Sequence, residues 1–71
     1  MPDSIYKIVE LVGTSDSSWE QAAKNAVEAA GTTLRDLRIA QVDELDMKVE
    51  NGKVVAYRAK VRLSFKFEPG G

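Results

Sequence analysis

The C-terminal part of the chain alternates apolar and polar residues without a miss. Val55, Tyr57, Ala59, Val61, Leu63, Phe65 and Phe67 take every second position, with Ala56, Arg58, Lys60, Arg62, Ser64, Lys66 and Glu68 between them. Successive side chains of a strand point to opposite faces. Such a run is therefore a long strand with one buried face and one face turned to water or to a polar interface. It is read from Lys53 to Glu68.

The segment before it reads as its hairpin partner. Asn51-Gly52 marks a tight turn, and the partner strand runs from about Leu37 to Glu50. Leu45, Met47 and Val49 belong on the buried face with Val55 and Tyr57. A two-residue loop would put Tyr57 opposite Asp46, on the wrong face. The expected remedy is a three-residue turn with Gly52 in the left-handed conformation. Glu44 and Asp46 then share the polar face with Arg58 and Lys60, as cross-strand opposite charges.

A first strand, rich in Ile and Val, is expected from Ser4 to Val12 and is broken by Gly13-Thr14-Ser15-Asp16-Ser17. A helix follows. Ser17 and Glu20 have capping-box spacing. Trp19, Ala22, Ala23, Ala26, Val27, Ala30, Leu34 and Leu37 recur as one apolar helix face. Its small residues suggest a close approach to the sheet, and Gly31 weakens the helix by about 1 kcal/mol relative to Ala. The order is β-α-β-β. The expected fold is α+β, a three-stranded antiparallel sheet with one helix packed on one face, and residues 1–71 form a single domain.

The hairpin strands are long, about 14 residues against the usual five or so. One helix cannot cover them, and the uncovered strand ends and sheet edge invite copies of the chain. Size points the same way. A domain of 71 residues buries only about 60% of its unfolded surface. There is no cysteine to staple it, and small domains of this kind gain stability by associating.

Composition excludes several functions. With no cysteine and no histidine, the chain lacks the commonest nucleophile–base pairs and the commonest zinc ligands. The net charge of -1 lacks the basic excess of a nucleic-acid binder. The apolar runs are too short to span a membrane. Met1-Pro2-Asp3-Ser4 lacks the character of a signal peptide, so a cytoplasmic location is expected.

Gly13-Thr14-Ser15 lacks the second glycine and the lysine of a phosphate loop and reads as a strand-to-helix turn. Trp19 reads as a core or subunit-contact residue. The row Arg58, Lys60, Arg62, Lys66 could attract anions, but the acidic strand beside it offsets that field. In the run Asp43-Glu44-Leu45-Asp46, Glu44 and Asp46 are the candidate metal ligands. A hard cation such as calcium takes several oxygens. The run is not an EF-hand loop, and pairing of both carboxylates with Arg58 and Lys60 is the simpler reading. A symmetry axis that gathered copies of one carboxylate would change that balance.

These residues resemble the dodecin family. The resemblance rests on Tyr6-Lys7-Ile8-Val9-Glu10-Leu11-Val12-Gly13-Thr14-Ser15, Ser18-Trp19-Glu20, Thr33-Leu34-Arg35 and Val61-Arg62-Leu63-Ser64-Phe65-Lys66-Phe67, and it covers nearly the whole chain. It implies a hollow homo-dodecamer with helices outside and sheets lining the interior. It also implies a binding or storage role rather than turnover. Many dodecins bind flavins, riboflavin or FMN, in stacked pairs near two-fold axes.

By that resemblance, Ile39, Asp46 and Arg58 occupy the flavin-pocket positions. There the flavin-binding members carry a stacking tryptophan, an arginine and a ring-edge glutamine, respectively. All three contacts are replaced. The pattern with Ser18-Trp19-Glu20-Gln21 and without the strand tryptophan looks more like a dodecin subgroup that binds calcium. The expected ligand is thus a cation (calcium), another small molecule or flavin. The alternatives are a flavin storage protein and a ligand-free scaffold.

Overall fold

The computed structural model describes residues 5–67. The element order is β1 (Tyr6–Ser15), α1 (Trp19–Gly31), β2 (Leu37–Glu50) and β3 (Lys53–Lys66). The three strands form one antiparallel sheet in the order β1-β3-β2, so the alternating strand is central. The helix lies on one face, over β1 and β3, and barely reaches β2. This is the expected α+β arrangement. The expected strand ends at Ser4 and Glu68 lie outside the described residues.

The strand β1 continues through Gly13, Thr14 and Ser15 instead of breaking there. Gly13 is needed for what passes above it. A β-carbon on this residue would run into the Ala22 carbonyl oxygen and come within 2.9 Å of the Ala26 Cβ. Ala22, Ala26 and Ala30 form the buried face of α1 and seat it against Ala59, Val61 and Leu63 of β3. Val9, Ala23, Val27, Leu34 and Leu37 pack around this small core.

The helix is capped by Ser18, not Ser17. The Ser18 side chain accepts from the Gln21 backbone N–H at 3.0 Å. Ser17 instead donates to Asp16 (3.2 Å), and its backbone N–H donates to the Ser15 hydroxyl (2.9 Å). The helix ends at Gly31, so Leu34 and Leu37 are not part of it. Asp36, at φ 57°, redirects the chain, and Leu37 opens β2. Two side chains tie α1 to the sheet. Asn25 donates to the Thr14 carbonyl of β1 (3.0 Å), and Trp19 donates to the Asp46 carbonyl of β2 (2.9 Å).

The hairpin turn is also corrected. Asn51 (φ 52°) and Gly52 (φ 75°) make a two-residue turn with Glu50 opposite Lys53. This is the turn geometry that matches strand twist. The parity problem is solved farther along, by a bulge. Lys48 faces Ala56 and Val49 faces Val54, which leaves Val55 as the extra residue. Asp46 then faces Arg58, and Met47 faces Tyr57. The expected pairing is present, reached by a bulge in place of an odd loop.

Two more irregularities fall in β2, at Arg38 and Asp43. Each inserts one residue and so moves the following residue to the other face. Consequently Leu37, Ala40, Val42, Leu45 and Met47 face the helix side. Ile39, Gln41, Glu44 and Asp46 face the open side. Leu45, Met47 and Val49 were expected on the buried face. They are 45–58% exposed, as is Val42, because α1 does not extend over them.

The seat at Gly13 makes a sharp expectation. Gly13→Ala lowers stability by about 1–3 kcal/mol, the usual penalty for an overpacked contact. Gly31→Ala, where nothing lies within 4 Å of the new methyl, leaves stability unchanged or raises it by up to about 1 kcal/mol. Thermal melts at one fixed protein concentration compare the two.

Candidate functional site

The open face of the sheet has no helix over it. Its cross-strand rows are Ile8–Ser64–Ile39, Glu10–Arg62–Gln41, Val12–Lys60–Glu44 and Thr14–Arg58–Asp46. The polar half of the β3 alternation therefore supplies the middle of every row, with β1 and β2 supplying the flanks.

The row nearest the hairpin tip holds the shortest ion pair. Arg58 Nε donates to Asp46 Oδ1 at 2.7 Å, and its terminal nitrogen donates to Oδ2 at 2.9 Å. This is the two-pronged guanidinium–carboxylate geometry. The hydrogen bonds from Arg58 hold the Asp46 carboxyl below its usual range, helped by the guanidinium charge and opposed by desolvation. The same contacts raise the Arg58 guanidinium. Both side chains are about half exposed, so water and salt screen the pair.

The next cluster centres on Arg62. Its guanidinium forms an ion pair with Asp43 at 2.9 Å and donates a long hydrogen bond to Glu10 at 3.5 Å. Lys60 approaches Glu10 from the neighbouring row at 3.9 Å. The bulge at Asp43 turns its carboxylate toward Arg62 and to the Gln41 amide, which donates at 3.2 Å. Asp43 is the more enclosed partner, with a side chain 16% exposed. The acidic run of the sequence pointed to this neighbourhood. The bulge that recruits Asp43 had no signal there.

The three flavin-pocket positions are not brought together within one chain. Asp46 and Arg58 are directly paired. Ile39 lies opposite Ser64, three rows and six β3 residues away, or about 20 Å at the usual strand rise. Any pocket made from all three draws them from more than one copy. Ile39 itself is 61% exposed.

Of the two candidate metal ligands, Glu44 lies opposite Lys60, and Asp46 is engaged by Arg58 in the adjoining row. Among the described residues there is no group of three carboxylates, histidines or cysteines placed to hold an ion. Calcium takes six to eight oxygens. Two carboxylates of one chain are too few, and a complete shell needs further copies or water.

On the helix side, Trp19 is half-buried at the first position of α1. Besides its hydrogen bond to Asp46, its ring meets that of Tyr57 edge-on, with centroids 5.2 Å apart and planes at 69°. Trp19, Glu20, Ala23, Val42 and Leu45 line a mainly apolar groove of about 380 Å³ between the helix and β2. No helix of the described residues is long and apolar enough to cross a membrane.

Comparison with known proteins agrees with this geometry. The dodecin family model matches residues 5–68. The calcium dodecin of Mycobacterium tuberculosis is 46% identical over 66 residues, covering 93% of each chain. The dodecin of Thermus thermophilus is 36% identical over 64 residues, covering 90% of this chain and 93% of the other. Among solved structures, the Streptomyces coelicolor dodecin superposes with a TM-score of 0.90 at 34% identity, covering 99% of this chain and all of that one. The M. tuberculosis calcium dodecin, a calcium-chelating antigen, superposes at 0.81 with 46% identity, covering 96% and 97%. By its family match, its strand order and these relatives, the chain belongs to the dodecin family.

Proposed function

We propose that the chain is a single-domain, non-enzymatic subunit of a hollow homo-dodecamer, acting in the cytoplasm. Its role is to bind and sequester a divalent cation, with calcium the class favoured over riboflavin or FMN. The observation that carries the choice of ligand is the paired Asp46 and Arg58. A flavin ring in this position needs an amide at its edge and a flat aromatic to stack on. Here the ring-edge position is a guanidinium already committed to a carboxylate, and the stacking position is the aliphatic Ile39. The calcium dodecin of M. tuberculosis, at 46% identity, supports the same reading.

Assembly is supported by the exposed apolar residues on the helix side of β2 and at the hairpin tip: Val42, Leu45, Met47, Val49, Val54 and Val55. A rotation axis would also gather copies of Glu44 or Asp46, supplying the oxygens one chain lacks. The non-enzymatic role is supported by the lack of histidine and cysteine.

Titration separates the ligands. Calcium raises the melting temperature progressively, by about 2.7 kcal/mol of stability at a hundredfold excess over its Kd. Riboflavin binds about fivefold to a hundredfold more weakly than to a dodecin with the stacking tryptophan, since one lost stack is worth about 1–3 kcal/mol. The combined variant Ile39→Trp, Arg58→Gln, Asp46→Arg regains riboflavin quenching. Tight, fully quenched riboflavin binding by the unaltered protein, with no response to calcium, contradicts the proposal.

Acid titration tests the pair itself. A carboxyl held low in the folded state adds stability that is fully present above its unfolded value, about 3.9. That stability is lost as pH falls through the lower folded value. Arg58→Gln removes this contribution, so the variant is the less stable protein at neutral pH and the difference narrows as pH drops below about 4. Melting curves of both proteins between neutral and acid pH check the convergence.

A further inference from the structure

The helix has little contact with β2, yet one residue crosses that gap. The Trp19 indole N–H reaches 2.9 Å to the Asp46 carbonyl, 27 residues away in the chain. The same ring rests edge-on against Tyr57, whose strand neighbour is Arg58. Met47, next to Asp46, lies opposite Tyr57. Both contacts of the indole therefore land on the residues that flank or form the Asp46–Arg58 pair. They do so from the helix side, while the two charged side chains point to the open side.

We infer that Trp19 is the positioning residue of the Asp46–Arg58 pair, holding the β2 backbone at Asp46 so that the carboxylate meets Arg58, or an entering ligand, in one fixed place. The need for such a strut follows from the topology. β2 is an edge strand, paired on one side only, and irregular at Arg38, at Asp43 and opposite Val55. A two-pronged guanidinium bond tolerates little drift of either backbone. Asp46 sits in the short paired run Glu44–Lys48, which is bounded on both sides by irregularities, at Asp43 and between Lys48 and Val49. An indole fits the task because its body packs on Tyr57 while its single N–H fixes one carbonyl. The inference rests on the proposed function only for what the pair binds. That Trp19 orders the pair is a separate statement.

Trp19→Phe keeps a ring against Tyr57 and removes the N–H. Leu45→Ala serves as the comparison, since Leu45 lines the same groove and precedes Asp46 but takes no part in the hydrogen bond. In the assembled protein, nuclear magnetic resonance follows the Arg58 Nε–H, which the 2.7 Å bond to Asp46 shifts and protects from exchange. In Trp19→Phe this signal moves to the position and fast exchange of a free guanidinium, and calcium affinity falls about fivefold. In Leu45→Ala it stays, even where the melting temperature drops as far. An Arg58 signal unchanged in Trp19→Phe, or displaced equally by Leu45→Ala, overturns the inference. If the unaltered protein takes no calcium, the ligand reading fails, and the Arg58 signal alone still decides the role of Trp19.

Discussion

The close seat of α1 on β1 is the contact from which the rest of the molecule follows. A helix backbone passes directly over Gly13 because that residue has no side chain, and Ala22 and Ala26 are small enough to come down upon it. The seat fixes the helix over β1 and β3. A helix of 13 residues is only about 20 Å long, whereas strands of 14 residues reach about 46 Å. One short helix placed there covers the middle of a sheet much longer than itself. Edge strand β2 and the hairpin tip keep their apolar side chains in water, and the longest dimension of the chain is 54 Å. The buried core is correspondingly small, being Ala22, Ala26 and Ala30 against Ala59, Val61 and Leu63. A fold with so little interior and so much exposed apolar strand presents the surface that the proposed assembly would bury between copies of the chain.

The open face carries the opposite character. Arg58, Lys60 and Arg62 of the central strand each lie between partners on the flanking strands, and carboxylates answer them. Asp46 takes Arg58, and Asp43 and Glu10 take Arg62. The face is thus strongly polar but nearly neutral. Such a surface has little net field to draw in anions at long range. Under the proposed function, a ligand would have to displace an existing partner or draw carboxylates from neighbouring copies, and the Asp46–Arg58 pair is where that competition would be set.

Much of the fold was legible in the residues. The alternation from Val55 to Phe65 identified the central strand because it is two-sided, with the core on one face and charge on the other. The pairing of Asp46 with Arg58 followed from keeping Met47 and Tyr57 on one face. The device that achieves it was not legible. A bulge at Val55 costs no distinctive residue, whereas Asn51-Gly52 is a strong turn signal, so the odd residue was sought in the loop. The irregularities at Arg38 and Asp43 were silent for the same reason. The one at Asp43 alone brings Ile39 and Gln41 to the face of Glu44 and Asp46, which simple alternation along β2 would not do. The cap was displaced by one residue because Ser17 and Ser18 are chemically alike and only the backbone path distinguishes them. Gly13 resembled a strand breaker, since its need for a bare Cα arises from a helix that follows it. The Trp19–Asp46 bond, spanning 27 residues, had no local signal at all.

The central claim is that this chain is a part whose missing core is another copy of itself. Light scattering on the purified protein at micromolar concentration measures it most directly. The account predicts a closed particle of twelve 7.8 kDa chains, about 94 kDa, that stays intact on dilution. A monodisperse particle of 7.8 kDa, folded and stable with Val42, Leu45, Met47 and Val49 in water, would contradict it.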